Sequence, residues 1–302
     1  ILRSNQFCNL SEVVIREGDT LASLKKKVET AAIIGTLQAT LTDFRYLRNL
    51  WKRNTEEEAL LGLSMTGIMD HPTLGNSSDK TKQWLEELKE VAITTNKIWA
   101  EKLGIAQSVA ITCVKPSGTV SQLVDSASGI HPRFSKQYIR RVRSDKKDPL
   151  AVFMEDKGFP VEQDVMSPAS AVFSFPVKAP EKSVTVAEVG AMQQLELWKT
   201  YQNHWCEHKP SITVYYTDNE FLQVAQWIWD NFEICSGISL LPVSDHVYQQ
   251  APYEDISIEK YNELLAAMPQ GVSWEDLENF EQEDNTTGSQ ELACTGGACE
   301  IV

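Results

Sequence analysis

Residues 108–122 read SVAITCVKPSGTVSQ, and the joint inside this stretch sets the fold class. The first seven residues, 108–114, form a continuous apolar run without alternation, the pattern of a strand covered on both faces. At Lys115 the chemistry changes abruptly. Pro116, Ser117, Gly118, Thr119, Val120 and Ser121 bring turn formers and hydroxyls to the end of that strand. Working outward, comparable runs recur as ALLGLSMTGIM (59–69), AVFSFPV (171–177), SITVYY (211–216) and GISLLP (237–242). Helical patterns lie around them. Leu21, Leu24, Val28 and Ala31 recur at three and four within 20–43, with Asp19 placed to cap. SSDK at 77–80 opens a second helix carrying Trp84, Leu85, Leu88, Val91, Ile98 and Trp99, and residues 185–205, 218–233 and 257–268 predict three more. Strands alternating with helices of this length predict an α/β fold with parallel pairing through crossover connections.

Composition narrows the setting. The chain has 302 residues, 42% of them hydrophobic, which is enough for a substantial core. Its formal net charge is −14, and no Lys or Arg follows Lys260, whereas nine acids do. An acidic carboxyl-terminal region argues against nucleic acid or an anionic membrane as the main partner. No apolar run reaches the ~18 residues of a membrane span. Six cysteines at mostly wide spacings are unlike a secreted disulfide framework and fit a cytoplasmic protein with selected reactive thiols. The first residue is Ile and opens directly into patterned sequence, so a piece of a longer protein is expected.

Several clusters suggest chemistry. Cys294 and Cys299 flank Thr-Gly-Gly-Ala in an acidic, Gly-containing stretch that begins near Gly271 and reads as a disordered tail. Two glycines let these cysteines reach disulfide geometry. A flexible 271–293 linker would span roughly 26 Å root-mean-square, which suits a mobile dithiol carrier. An incidental pair on a frayed end is the plainer reading. The loop 116–121 offers backbone N–H groups and hydroxyls to an anion; an ordinary polar turn is its alternative. It is not a Walker A loop, because Lys115 precedes the small residues. Cys8 opens an extended segment, and by itself a lone Cys reads first as a small buried hydrophobe. His204 and His208 share a helical face, but Cys206 does not, so no metal site is expected there. The basic run 138–147 fits a solvated rim or a phosphate-steering edge. Tyr215 and Tyr216, as strand neighbours, point to opposite faces and read as packing residues.

Taken together these stretches resemble the large catalytic chain of ribonucleotide reductases, most closely the adenosylcobalamin-dependent, monomeric triphosphate reductases. The segments that carry the resemblance are CNLSEV (8–13), LTDFRYLR (41–48), NTEEEALLGLSMTGI (54–68), KPSGTVSQ (115–122), SGIHPRFS (128–135), YIRRVRSDKKDPL (138–150), EHKPSITVYY (207–216), GISLLP (237–242), QAPYE (250–254) and CTGGAC (294–299).

The resemblance implies a fold, a ten-stranded α/β barrel around a finger loop. Residues 1–270 would hold its carboxyl-terminal half and residues 271–302 a flexible redox tail. It implies a reaction in which a thiyl radical abstracts the 3′ hydrogen of a ribonucleotide, water leaves C2′, and a thiol pair becomes a disulfide. Cys8 would be the second member of that pair, the loop of Pro116, Ser117, Gly118, Thr119, Val120 and Ser121 the phosphate site, and Cys294 with Cys299 the shuttle reduced by thioredoxin. Adenosylcobalamin is the implied cofactor. The radical-bearing Cys with its Asn and Glu, the first member of the reducing pair and the allosteric site would lie upstream of Ile1. On this resemblance the chain would need an upstream amino-terminal portion for activity. A diiron-partnered ribonucleoside-diphosphate reductase and an inactive nucleotide-binding remnant are the alternatives. No Asp-x-His-x-x-Gly motif occurs, so a histidine ligand to the cobalt is not expected.

Overall fold

The computed structural model describes residues 2–243 and 249–281. In chain order the elements are β1 (Asn9–Val14), α1 (Leu21–Gln38), α2 (Asn49–Glu58), β2 (Leu61–Thr66), α3 (Asp79–Leu103), the single turn α4 (Val120–Leu123), β3 (Gln137–Asp145), α5 (Pro149–Asp156), β4 (Val161–Gln163), β5 (Ser170–Lys178), α6 (Ala191–His204), β6 (Ile212–Tyr216), α7 (Phe221–Asp230), β7 (Ile238–Pro242), β8 (Tyr253–Asp255) and α8 (Ile258–Ala267). The described residues divide into two compact units, 2–132 with 186–243, and 133–185 with 249–281.

The first unit is a parallel array. β1 pairs with β2 in parallel, Asn9 opposite Leu61 through Val14 opposite Thr66. The apolar segment 110–114 lies beside β2: Leu61 and Leu63 donate their N–H groups to Ala110 O (3.1 Å) and Ile111 O (2.8 Å), and Cys113 donates back to Leu63 O (3.0 Å). Its other side meets the approach to β6, where Ser211 donates to Val114 O at 2.9 Å and a parallel bridge joins Val114 to Pro210. β6 pairs in parallel with β7. The order β1, β2, 110–114, β6, β7 is the parallel pairing expected from the alternation of strands and helices. α1, α3 and α6 bury Leu24, Val28, Leu85, Leu88, Leu195 and Trp198. The two buried indoles fasten this layer to the strands: Trp198 Nε1 donates to Pro210 O at 3.0 Å and Trp205 Nε1 to Cys113 O at 2.8 Å.

Local chemistry corrects the helix limits. Thr20, not Asp19, caps α1 in a reciprocal pair with Ser23. Asp19 instead accepts from Ser23 Oγ and Lys27 Nζ. α1 stops at Gln38 rather than near 43, because the Thr40 hydroxyl returns to Leu37 O at 2.7 Å and competes with the helical ladder.

The second unit departs from the parallel expectation. β3 and β5 run antiparallel over nine residues, flanked by β4 and β8 in the order β4-β5-β3-β8. Residues 171–177 are the expected strand, but paired the other way. The run 138–147, read as a rim or steering edge, is mostly β3 itself. Arg140 is 6% exposed and stacks over Tyr253. Arg141 donates to Ala251 O and Glu254, and Arg143 to Gln250 O, with Asp164 at 3.3 Å. These guanidiniums therefore satisfy groups of their own unit.

The α/β class stands, and the sheets among the described residues are small and not closed. One further expectation is corrected. Residues 271–281, expected to begin a disordered tail, hold a short helical turn at Trp274–Asn279. Val272, Leu277 and Phe280 pack against the buried cluster of Ala151, Phe153, Met154, Ala171 and Phe173. Cys294 and Cys299 lie outside the described residues. Among the described residues no helix is long and apolar enough to cross a membrane.

Candidate functional site

The site grows from the face of the first unit's strands that α1 does not cover. Side chains alternate along a strand. Ser11 and Leu61 face α1, where both approach Gly35. Cys8, Leu10 and Glu12 therefore share the opposite face, next to Gly62 and Ser64. Leu10 is 52% exposed there.

Cys8 is held by the segment before it. Phe7 packs between Phe44 and Trp51 at ring separations of 4.9 and 4.8 Å. The Phe7 N–H donates to Thr55 Oγ1 at 3.2 Å, and the buried Gln6 amide donates to Asn54 O and Glu58. Beside Cys8, and paired with Leu10, stands a glycine. A Cβ built on Gly62 would lie 3.2 Å from Cys8 Sγ, 3.6 Å from Cys113 Sγ and 2.4 Å from Leu10 Cδ2. Gly62 thus leaves the space into which two thiols project. Burial pushes the Cys8 thiol up, with the Lys115 ammonium pulling the other way. Burial pushes Cys113 up to about 12. Both sulfurs are thiols at neutral pH.

At the carboxyl end of the same strands the 116–121 loop is fixed at three points. Lys115 N–H donates to Ser64 Oγ at 2.9 Å. Ser117 Oγ, on a residue 5% exposed, donates to Glu12 Oε2 at 2.8 Å. Arg16 donates to Val124 O and Asp125 O just beyond α4. Ser121 closes the turn by donating both its N–H and its Oγ to Ser117 O. Pro116, Thr119 and Val120 are exposed, and Gly118 is half-buried. Four residues of strand, roughly 13 Å, separate Glu12 from Cys8 along β1. Glu12, on the strand face of Cys8, is thus the residue to which Ser117 is bonded. Cys113, Lys115 and Glu12, to which the sequence reading assigned no role at a site, lie beside them. The period-two alternation of β1 was the signal for Glu12.

The other sequence candidates are held by separate partners. His204 Nδ1 pairs with Glu86 at 2.7 Å and His208 Nε2 with Leu61 O at 2.7 Å, while Cys206 is buried. Tyr216 packs on Phe221, and Tyr215 bonds Gln194 through its backbone.

No family model matches the chain. Curated relatives do. The adenosylcobalamin-dependent ribonucleoside-triphosphate reductase of Lactobacillus helveticus is 27% identical over 334 residues, covering 99% of this chain and 44% of that protein. The protein of that name from Euglena gracilis is 29% identical over 276 residues, 90% of this chain and 37% of its own length. A probable one from Dictyostelium discoideum is 26% identical, covering 100% of this chain and 39% of its own length. The chain thus spans less than half the length of these relatives. Among solved structures, a crystal structure of a B-12 dependent (class II) ribonucleotide reductase matches with a TM-score of 0.74 at 22% identity, over 92% of this chain and 42% of that one, which shows a shared fold. The resemblance read from the motifs therefore holds along the chain, which is similar over nearly its whole length to part of the adenosylcobalamin-dependent ribonucleoside-triphosphate reductases.

Proposed function

We propose that this chain is the carboxyl-terminal portion of an adenosylcobalamin-dependent ribonucleotide reductase, acting on ribonucleoside triphosphates together with an upstream portion and re-reduced by thioredoxin. The observation that carries the reading is the placement of Cys8 and the 116–121 loop on one face of a parallel strand array, in a chain similar to such reductases over 99% of its length. The five parallel strands are read as half of the barrel.

In this reading the loop orients the nucleotide by its phosphates, with Ser117 and Thr119 hydroxyls as donors and Lys115 beside them. The half-buried Cys8 thiol then faces the sugar. It supplies, with its upstream partner, two electrons and two protons as the pair closes to a disulfide and water departs. Lys115 favours the thiolate that must form when that disulfide is reopened by thiol–disulfide exchange. Cys294 and Cys299 carry the reducing equivalents.

Adenosylcobalamin, when bound, supplies the radical that starts the chemistry. The four described histidines are each engaged by protein groups: His71 by Asp19 O, His131 by Ser128 O and the Thr213 N–H, His204 by Glu86 and His208 by Leu61 O. The test is chromatography of the nucleotides formed when the enzyme containing this chain receives adenosylcobalamin, ribonucleoside triphosphate and a dithiol. Deoxynucleotide formation that disappears in Cys8→Ser is expected. Its absence in the unmodified enzyme would remove the reading.

A further inference from the structure

Glu12 is an odd neighbour for an anion site. Its carboxylate sits on the same strand face as Cys8 and accepts the single proton of the Ser117 hydroxyl at 2.8 Å. A hydroxyl has one hydrogen to donate. While Ser117 gives it to Glu12, it has none for a phosphate oxygen. If Ser117 simply turned to a phosphate, a half-buried carboxylate would be left without that bond and facing a second anion, which is costly.

Protonation resolves the conflict. We propose that Glu12 is a proton-gated positioning residue for the 116–121 loop: on phosphate binding the protonated Glu12 donates to Ser117 Oγ, and Ser117 donates its own hydrogen onward to the phosphate. This rests on the reading of the loop as the phosphate site. The relay balances, since one proton enters from solvent at Glu12, one hydrogen bond reverses direction and one new bond forms to the ligand.

Burial already pushes the Glu12 carboxyl up, against the opposing pull of its bond from Ser117. The surroundings are sparse in charge. β2 reads LGLSMT and brings no titratable group. The adjoining 110–115 segment brings Cys113 and Lys115, and β1 itself Cys8. Past the strand end, Arg16 is turned to Val124 O and Asp125 O. α1 packs on the other face, where Lys27 bonds Val14 O and Asp19.

The test is calorimetric titration of the full chain with inorganic tripolyphosphate from pH 5.5 to 8.5, for wild type, Glu12→Gln, Ser117→Ala and the double variant. The glutamine amide mimics the protonated acid, since it donates to Ser117 at every pH. Glu12→Gln should bind about as tightly as wild type at pH 5.5 and about tenfold more tightly at pH 8.5, the worth of one charge-assisted bond. Taking the ratio of the two proteins cancels the ligand's own titration. In the Ser117→Ala background the advantage should vanish. Binding that requires Ser117 but is equal or weaker in Glu12→Gln at every pH would overturn the gating and leave the phosphate loop standing. Binding by wild type that is indifferent to Ser117, or no binding at all, would overturn both.

Discussion

The sulfurs of Cys8 and Cys113 converge on one point from two strands, 3.2 and 3.6 Å from where a side chain on Gly62 would begin. The glycine between them has an ordinary strand conformation, so its role is space. Gly62→Ala should cost about 1–3 kcal/mol by overpacking, with Leu10 Cδ2, at 2.4 Å, forced to move first. In a Cys8→Ala background the cost should fall by about 0.5 kcal/mol or more, the size of a contact coupling. Denaturant melts of the four proteins measure this. Full additivity would mean that Gly62 does not serve the Cys8 thiol.

Thiol reactivity should follow pH in a defined direction. Burial raises Cys8 and Lys115 lowers it, so Lys115→Met should move the alkaline rise in Cys8 alkylation to higher pH. Cys113, at about 12 and 1% exposed, should resist alkylation in the folded chain at pH 8. Iodoacetamide labelling read by peptide mass spectrometry separates the two. An unshifted profile in Lys115→Met would remove the lysine from the account.

The second unit depends on a residue contact that composition concealed. Phe153 is fully buried and meets Trp274 and Phe280, each at a ring separation of 5.4 Å. Phe153→Ala should destabilise by about 3–5 kcal/mol. Removing 272–281 should expose the same cluster and lower the unfolding midpoint. A midpoint unchanged by that truncation would contradict the packing.

Those three cases mark where the sequence was legible. The strands of the first unit were, because LGLSMT, AITCV and ITVYY are unbroken apolar runs, and α3 was, because Ser78 caps it and its apolar spacing is regular. β3 was hidden by Arg140, Arg141 and Arg143, which stack on Tyr253 or pair with Glu254 and Asp164, residues distant in sequence. α2 was hidden by its polarity, since among its ten residues only Asn54 and Thr55 are buried. The turn at Trp274–Asn279 was hidden among acids, where Val272, Trp274, Leu277 and Phe280 do the packing. At the candidate site, Cys8 and the 116–121 loop were singled out as motifs. The alternation of β1 put Glu12 on the face of Cys8, but its bond to Ser117, 105 residues later, was not readable from the sequence.

The central claim is that Cys8 is a reductant of the substrate and the tail cysteines are its resupply. The direct measurement is deoxynucleotide formed per enzyme, in the complete enzyme with adenosylcobalamin, using thioredoxin in one arm and a small diffusible dithiol in the other. Cys8→Ser should abolish normal product from the first turnover in both arms. Cys294→Ser and Cys299→Ser should yield about one product per enzyme with thioredoxin and sustained turnover with the small dithiol, which needs no tether. Sustained thioredoxin-driven turnover in the tail variants, or normal product from Cys8→Ser, would contradict the account.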